Sequence, residues 1–300
     1  MIAPRPKVAI LGATGMIGSS FYNSFKDKYD LLLFARSSEK LALLNRRYGG
    51  VSRHKAHQLD LKYAYQEYLQ DASGKLVSPS LEKLLEALSS ADWIINALGI
   101  IKPYCDEDTS LAYFVNSTFP QILGEVLGKK VIHITTDCVF NGSLGAPYDE
   151  NSPKLPPDIY GLTKMLGDTT KAITLRTSTV GPELIGNRGL LAWLMSQSGK
   201  EVNGYTNHLW NGITSQELGN VCQKIINREV LITSGVYHIF SNDITKYELL
   251  VKFNQRFNLG CKINPAEAPT AIDRRLRTAR ELNQQLQIPS LDEQISNLQL

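Results

Sequence analysis

The chain alternates short apolar runs with longer stretches of helical periodicity, and this alternation constrains its fold more than any other feature. The apolar runs are "KVAILGA" (7–13), "DLLLFAR" (30–36), "VSRHKAHQLDL" (51–61), "DWIINALG" (92–99), "KVIHITT" (130–136) and "AITLRTSTVG" (172–181). Helical patterns follow most of them, as at 16–26, 78–90 and 109–127, and Ser80 fits the N-cap of the second of these. Strands that alternate with helices in this way build βαβ units and a parallel sheet. We therefore expect an α/β fold with a doubly wound parallel sheet.

The alternation becomes irregular after Gly181. Helical patterns near 187–198, 214–228 and 245–258 and an apolar run near 235–240 remain readable. A chain of 300 residues suits one large unit or two joined lobes. We expect a first domain over 1–181, to which segments near 213–242 return, and a smaller C-terminal lobe over 182–300. The stretch 62–77 is interpreted as an insertion.

Composition excludes several classes of protein. A formal charge of +3 is too small to predict nucleic-acid binding. The densest basic stretch, "DRRLRTAR" (273–280), is interpreted as a solvated helix face, with an anionic-ligand site as the alternative. The four cysteines lack metal-ligand spacing and predict reduced thiols. The longest apolar run (93–101) is too short to span a bilayer, and no signal peptide precedes the first strand. We expect a cytoplasmic protein without nucleic-acid or membrane partners.

A glycine-rich turn joins the first strand to the first helix. In "LGATGMIGS" (11–19), Gly12, Gly15 and Gly18 lie at the mouth of that helix. A tight turn, close approach of a pyrophosphate to backbone N–H groups, and close packing of the helix on its strand each favour glycine. The positive end of the helix would then face the phosphates. The residues predicted to line this dinucleotide site are Gly12, Thr14, Gly15, Met16, Ile17 and Gly18.

The end of the second strand indicates which dinucleotide is preferred. An acidic residue at this position would bind a ribose 2′-hydroxyl, but the chain has Arg36 and Ser37. A guanidinium and a hydroxyl suit a phosphate monoester, so NADP(H) is preferred and NAD(H) is the alternative. The alternative is that Arg36 is an exposed loop cation, and equal Michaelis constants for the two cofactors would remove the inference.

Two more strand ends lie at the edge of the sheet where cofactors bind. Asp60 and Leu61, after the third strand, are predicted to contact the adenine, although Asp60 as a surface residue is the alternative. Asn96, Ala97 and Gly99 close the fourth strand and are predicted to line the cofactor site.

Tyr160 and Lys164, in "DIYGLTK" (158–164), are the candidate catalytic pair. A free phenol has a pKa near ~10, and an ammonium one helical turn away favours its ionised form. Thr136, at the carboxyl end of the fifth strand, could hydrogen-bond the same oxygen as Tyr160, so that a substrate carbonyl is held between the two hydroxyls. Spacing alone is not sufficient, because Tyr22 and Lys26 repeat the interval within the first helix. That second pair lacks comparable neighbours and is interpreted as core or surface.

Taken together, these residues resemble the extended short-chain dehydrogenase/reductases, and within them the dTDP-4-dehydrorhamnose reductase-like group. The glycine turn, "TTDCVFNG" (135–142), "APYDENSPKLPPDIYGLTK" (146–164) and "LRTSTVG" (175–181) carry the resemblance. It implies a Rossmann domain, an NAD(P) cofactor, and catalysis by Thr136, Tyr160 and Lys164 on a nucleotide-linked keto-deoxysugar. It also implies that Asn116 holds a proton-relay water, with an ordinary polar helix residue as the alternative.

The sequence departs from this group near the expected substrate. Cys138 replaces the tyrosine that usually follows "TD", and "TNHLWNGIT" (206–214) replaces a segment of the form DQxGxPT. Trp210 could stack on a base or sugar, and a core aromatic is the alternative. The departures leave the particular sugar and nucleotide open. The residues predicted to contact the substrate are Thr135, Asp137, Cys138, Trp210 and Thr214.

Three functions follow from this sequence. The leading hypothesis is NADPH-dependent reduction of a keto group on a nucleotide-activated deoxysugar for polysaccharide synthesis. The first alternative is an epimerase or dehydratase that retains NAD. The second is a non-catalytic dinucleotide-binding subunit similar to the regulatory subunit of methionine adenosyltransferase. No metal is required, and a homodimer is expected on general grounds.

Overall fold

A computed structural model describes residues 4–70, 78–186 and 188–300. Its strands are β1 (Lys7–Leu11), β2 (Asp30–Ala35), β3 (Lys55–Gln58), β4 (Trp93–Asn96), β5 (Val131–Thr136), β6 (Ile173–Thr177), β7 (Thr179–Val180), β8 (Glu201–Tyr205), β9 (His208–Trp210), β10 (Ile213–Thr214), β11 (Gly235–His238), β12 (Ile244–Thr245), β13 (Lys262–Ala266) and β14 (Ile272–Asp273). Its helices are α1 (Met16–Phe25), α2 (Ser38–Tyr48), α3 (Leu61–Gln70), α4 (Pro79–Ser89), α5 (Lys102–Glu107), α6 (Thr109–Tyr113), α7 (Phe119–Leu127), α8 (Ile159–Leu166), α9 (Leu190–Ser196), α10 (Ser215–Ile226), α11 (Lys246–Phe257), α12 (Leu282–Leu286) and α13 (Leu291–Ser296).

Seven strands form one sheet in the order β3-β2-β1-β4-β5-β6-β11. The pairs β1–β2, β1–β4, β2–β3 and β4–β5 are parallel. The strand order reverses next to β1, and ligands bind outside the carboxyl ends of strands at such a switch point. This is a doubly wound Rossmann sheet, so the predicted fold class is confirmed.

One compact unit comprises the chain up to Thr135, Asp158–Thr174 and Thr233–Val236. Its core packs apolar residues of β1, β2 and β4 against helices. The helix α4 contributes leucines at positions i, i+3, i+4 and i+7, which form one face of a helix. The buried leucines of α4 are Leu81, Leu84, Leu85 and Leu88.

The structure corrects the prediction for the region around α4. Ser78, and not a later serine, caps this helix, because its side chain accepts a hydrogen bond from the amide of Leu81. The first part of the preceding stretch 62–77 belongs to α3, which buries Leu61 and Ala64, and the interpretation of this stretch as an insertion stays a prediction. Residues 71–77 lie outside the described residues.

A second compact unit comprises Thr136–Pro157, Leu175–Ile232 and Tyr237–Leu300. Its apolar core includes Leu249, Leu250 and Phe253 of α11 together with residues of α9 and α13. The basic stretch 273–280 is not a helix, so the helix-face interpretation is wrong. Arg275 instead forms ion pairs with two aspartates that precede it in the sequence, Asp243 and Asp273.

Within the described ranges, no helix combines the length and the hydropathy that a bilayer span requires. The division into domains at residue 181 stays a prediction, because compact units are not by themselves domains that fold or bind ligands independently.

Candidate active site

The glycine turn has the backbone that its sequence predicts. Gly12 has φ +82°, a conformation that side-chain-bearing residues rarely adopt. A Cβ at Gly18 would lie 2.1 Å from the carbonyl oxygen of Gly12, so α1 approaches its strand more closely than alanine would allow. Gly15 is exposed at the N-cap of α1, and no side chain among the described residues caps this helix. First-turn amides without a capping group or an acidic neighbour fit a pyrophosphate.

Two basic residues, Arg36 and Lys40, follow the end of β2. Arg36 is exposed, and the Ser37 side chain caps α2 by accepting a hydrogen bond from the amide of Lys40. Burial and the nearby Arg36 lower the pKa of Lys40, while Asp60 opposes this shift. Lys40 is a second cation that the sequence analysis missed; its position four residues after Arg36, in the first turn of α2, is the signal that could have found it.

A cavity of about 520 Å³ borders the residues predicted to contact adenine. Asp60 and Leu61 line it together with Phe34 and His57, whose rings stack with centroids 5.0 Å apart. Asp60 also accepts a hydrogen bond from the amide of Lys62 at 3.0 Å. An aromatic wall beside an acceptor suits a purine, and the adenine assignment stays a prediction.

Lys164 is the most constrained group of the candidate catalytic set. It is 4% exposed, and its ammonium donates a hydrogen bond to the carbonyl oxygen of Ile134 at 2.9 Å. Burial lowers the pKa of Lys164 to about 8, while Asp168 and Cys105 oppose this shift. A Cβ at Gly99 would lie 4.0 Å from the Lys164 Nζ, so the end of β4 reaches this ammonium.

Asn116 lies in a π-helical turn, residues 114–118, between α6 and α7. Its side-chain oxygen accepts from the amide of Ile100 at 2.8 Å, and its side-chain nitrogen donates to the Ile100 carbonyl oxygen at 2.9 Å and to Thr163 Oγ1 at 3.1 Å. A Cβ at Gly167 would lie 1.9 Å from the Asn116 carbonyl oxygen, so the two backbones touch. Such π turns are frequent at functional sites. The structure thus gives the Asn116 side chain a positioning role, and the relay water stays a prediction.

Tyr160 lies in the first turn of α8, one residue after Ile159. The Asp158 side chain caps this helix, and it forms an ion pair with Lys102 at 2.6 Å. The positive end of a helix stabilises nearby anions. Tyr160 and Lys164 thus share α8, and stabilisation of a Tyr160 phenolate by Lys164 stays a prediction.

The end of β4 forms a buried polar pair with β5. The Asn96 side-chain nitrogen lies 3.1 Å from Nδ1 of His133, and both residues are fully buried. Burial, reinforced by Lys164, lowers the pKa of His133 far below its usual value, so the imidazole is neutral. Asn96 therefore fixes the end of its strand, next to Ala97 and Gly99.

The fifth strand ends in a run of buried polar residues. Thr135 and Thr136 are 3% and 8% exposed, and the Thr136 hydroxyl lies 3.2 Å from Oδ1 of Asp137. Burial raises the pKa of the Asp137 carboxyl, and Arg274 and Lys246 oppose this shift. Lys246 was missed by the sequence analysis, and Arg274 was noted there only as part of the basic stretch 273–280, with an anionic-ligand site as the alternative. Each is more than a hundred residues from Asp137 in the sequence.

Two predicted substrate residues are buried in the second unit. Trp210 is 3% exposed, and Thr214 is 1% exposed and caps α10 through its side chain. The Thr214 amide also donates to the side chain of Gln294 at 2.9 Å. This burial favours the core alternative for Trp210 and a structural role for Thr214.

Sequence comparison identifies relatives that share part of this chain. The spore coat polysaccharide biosynthesis protein SpsK of Bacillus subtilis is 26% identical over 152 residues, which are 48% of this chain and 52% of SpsK. Methionine adenosyltransferase 2 subunit beta of Xenopus laevis is 22% identical over 276 residues, which are 85% of this chain and 73% of that protein. The chain spans about half or less of the first curated relatives that it matches.

Solved structures share the fold over nearly the whole chain. The dTDP-4-dehydrorhamnose reductase of Bacillus anthracis, in complex with NADP, has a TM-score of 0.69 at 19% identity, with 98% of both chains covered. The UDP-N-acetylglucosamine 4-epimerase of Methanobrevibacter ruminantium has a TM-score of 0.71 at 14% identity, covering 98% of this chain and 97% of the epimerase.

A family model decides the classification. The model described as the RmlD substrate binding domain matches residues 6–287. This match covers most of the chain and confirms the resemblance drawn from the glycine turn and the stretch around Tyr160. The chain therefore belongs to the RmlD substrate-binding domain family.

Proposed function

We propose that the protein is an NADPH-dependent reductase of a keto group on a nucleotide-activated deoxysugar. The observation that carries this proposal is the buried ammonium of Lys164, which is hydrogen-bonded to the carbonyl oxygen of Ile134 in β5. Lys164 lies on α8, the helix that also contains Tyr160. A charged amine in a buried site stabilises a nearby phenolate strongly. The relatives named dTDP-4-dehydrorhamnose reductase support the same reaction class.

The cofactor is proposed from residues that fit it. The turn at Gly12, Gly15 and Gly18 would hold the pyrophosphate, and Arg36 with Ser37 would hold a ribose 2′-phosphate. When bound, NADPH supplies the hydride. NADP is the cofactor in the Bacillus anthracis structure, and NAD(H) stays the alternative for this chain.

Side chains of the protein would supply the proton for the reduction. The Tyr160 phenol donates its proton to the carbonyl oxygen of the substrate as that oxygen becomes negative, and Lys164 stabilises the phenolate that results. Thr136 is proposed as a second hydroxyl that orients the carbonyl. Asn116 is proposed to support proton return to Tyr160, because its side chain is held on both sides by Ile100.

The test is a panel of nucleotide-linked keto-sugars assayed with NADPH. A net fall in absorbance at the reduced nicotinamide band, with a reduced sugar as the product, is expected. Conversion of a sugar nucleotide without net consumption of NADPH would instead indicate the epimerase or dehydratase. The likeness of fold to the UDP-N-acetylglucosamine 4-epimerase is the observation that favours this second candidate.

A non-catalytic role is the third candidate. The Xenopus laevis adenosyltransferase subunit aligns with 85% of this chain, more than SpsK does. Co-purification with another enzyme at fixed stoichiometry, without turnover of any sugar nucleotide, would establish this role. The candidate set of Thr136, Tyr160 and Lys164 favours catalysis.

Three further properties are proposed together with the reductase. Residues 1–181, joined by segments near 213–242, form the dinucleotide-binding domain, and 182–300 form the smaller substrate-binding lobe. The protein is a cytoplasmic homodimer. Light scattering of the purified protein tests the dimer.

A further inference from the structure

Two cations face one carboxylate next to the end of β5. Arg274 and Lys246 both act on the buried carboxyl of Asp137. Among the described residues, the ion pairs of the basic stretch 273–280 use Arg275 and Arg277, and not Arg274. The cluster of Asp137, Lys246 and Arg274 therefore carries an excess of positive charge, which favours an anion.

Arg274 is held in place along the segment that follows β5. Its Nε donates to the carbonyl oxygen of Phe140 at 3.0 Å, and one terminal nitrogen lies 3.9 Å from the sulfur of Cys138. A Cβ at Gly142 would lie 3.0 Å from the Arg274 Cγ, so the Arg274 side chain packs directly against the backbone of Gly142. An ordered guanidinium loses little conformational entropy when it binds a ligand.

Lys246 occupies an unfavourable position for a cation. It is the first residue of α11, where the positive end of the helix repels an ammonium. Burial lowers the pKa of Lys246, while Asp137 and Cys138 oppose this shift. Its Nζ lies 4.8 Å from the centroid of the Trp210 ring, a distance at which the ring face attracts a cation.

A half-buried cation at a helix N-terminus costs stability, and such groups are more frequent at functional sites. We propose that Lys246 and Arg274 together bind an anionic group of the substrate, with the buried Trp210 ring supporting the ammonium. The anion is a phosphate of the nucleotide or a carboxylate on the sugar. This inference rests on the proposed function, because it assigns the end of β5 to a sugar nucleotide.

The test is calorimetric titration of the full chain with UDP-glucose, dTDP-glucose, UDP-glucuronate and uridine, with NADP⁺ present. The variants are Lys246→Met and Arg274→Met, which keep an apolar stem but remove the charge. Arg277→Met is the matched control, because Arg277 belongs to the same basic stretch and pairs with Asp149 at 3.0 Å. Thermal unfolding of each variant verifies that it is folded.

Each of the two variants is expected to weaken binding of the charged ligands by roughly ten- to a hundredfold, and the control by less than about threefold. Equal losses of affinity for the glucose and glucuronate nucleotides identify a phosphate as the anion. A loss of affinity confined to UDP-glucuronate identifies the sugar carboxylate. Unchanged affinities, equal losses for uncharged uridine, or no binding of any charged ligand to the wild-type protein would overturn the inference. Binding as expected, without NADPH oxidation on any keto-sugar, would contradict only the reductase.

Discussion

The ammonium of Lys164 donates a hydrogen bond to the carbonyl oxygen of Ile134, so this lysine is fixed to strand β5. The pair with the same spacing in α1 is arranged differently. The Tyr22 hydroxyl donates to the carbonyl oxygen of Gly49 at 2.5 Å, and Lys26 donates to that of Tyr48. Both residues of the second pair anchor the end of α2. Identical spacing therefore gives a structural anchor in one helix and a candidate catalytic pair in the other.

Replacement of Tyr160 by phenylalanine removes the proposed proton donor. We expect turnover to fall by roughly 10²–10⁴-fold, because general acid catalysis contributes about that much, with an unchanged unfolding transition. Steady-state kinetics on the substrate identified in the keto-sugar panel measures this loss. Tyr22→Phe is the matched control and is expected to lower stability by about 1 kcal/mol while activity is kept. Near-normal turnover of Tyr160→Phe would refute the assignment.

The rate should depend on pH through Lys164. Since burial lowers the pKa of Lys164 to about 8, the ammonium is present below that pH and is lost above it. We expect kcat to decline as the pH rises through about 8, and a pH–rate profile measures this decline. In Lys164→Met the overall rate should fall and this alkaline limb should disappear. An unchanged limb in that variant would assign it to another group.

Arg36 and Lys40 should determine the preference for NADPH. Arg36→Ala is expected to raise the dissociation constant of NADPH by roughly tenfold or more, with little effect on NADH, because a charge-assisted contact with the 2′-phosphate is lost. Lys40→Ala should have a smaller effect in the same direction. Fluorescence titration with both cofactors measures the ratio. Arg46→Ala, on the same helix, is the control, and equal affinities of Arg36→Ala and wild type for NADPH would contradict the prediction.

Gly18→Ala should destabilise the protein by about 1–3 kcal/mol, which is the usual cost of overpacking. The added methyl group would lie 2.1 Å from the carbonyl oxygen of Gly12, and backbone cannot easily move away. Gly15→Ala is the control, because its Cβ comes only within 3.4 Å of the same oxygen. Urea denaturation compares the two variants. Equal stabilities would show that α1 can shift on its strand.

Acid should destabilise the protein through His238. Its Nε2 lies 2.7 Å from a terminal nitrogen of Arg176, and burial, reinforced by Arg176, lowers the pKa of His238 from 6.5 to about 4. The unfolded state binds more protons between these two values, so the free energy of unfolding decreases as the pH falls from 6.5 to 4. The full effect is at most about 3 kcal/mol.

Denaturation at several pH values measures this slope. His238→Gln should lower stability at neutral pH and reduce the slope, whereas His57→Gln, at an exposed position, should leave the slope unchanged. A slope that persists in His238→Gln would assign the acid sensitivity to other groups.

Local patterns predicted much of the fold. Strand β1 and helix α1 follow from an apolar run and a glycine turn, both of which are properties of neighbouring residues. The cap of α4 was misplaced by two residues, because Ser78 and Ser80 are both good capping residues. Pro79 decides between them, since proline suits the first position inside a helix.

Contacts between distant residues were not predictable in the same way. Lys246 and Arg274 reach Asp137 only after the second unit has folded, and a single sequence carries no signal of that proximity. The basic stretch at 273–280 also looked helical, but Arg275 pairs with Asp243 and Asp273, Arg277 pairs with Asp149, and Arg274 donates to the carbonyl oxygen of Phe140. Lys40, by contrast, lies only four residues after Arg36, so its proximity could have been predicted from the sequence.

Gly167 contacts the π turn that carries Asn116, so the absence of a side chain at 167 is needed for the position of Asn116. Any side chain at 167 would displace the carbonyl of Asn116 and, through the turn that carries it, the hydrogen bonds to Ile100. A saturation library at this position should therefore contain folded members that bind dinucleotide yet turn over slowly. Efforts to improve or redirect such a catalyst would do well to leave that position untouched.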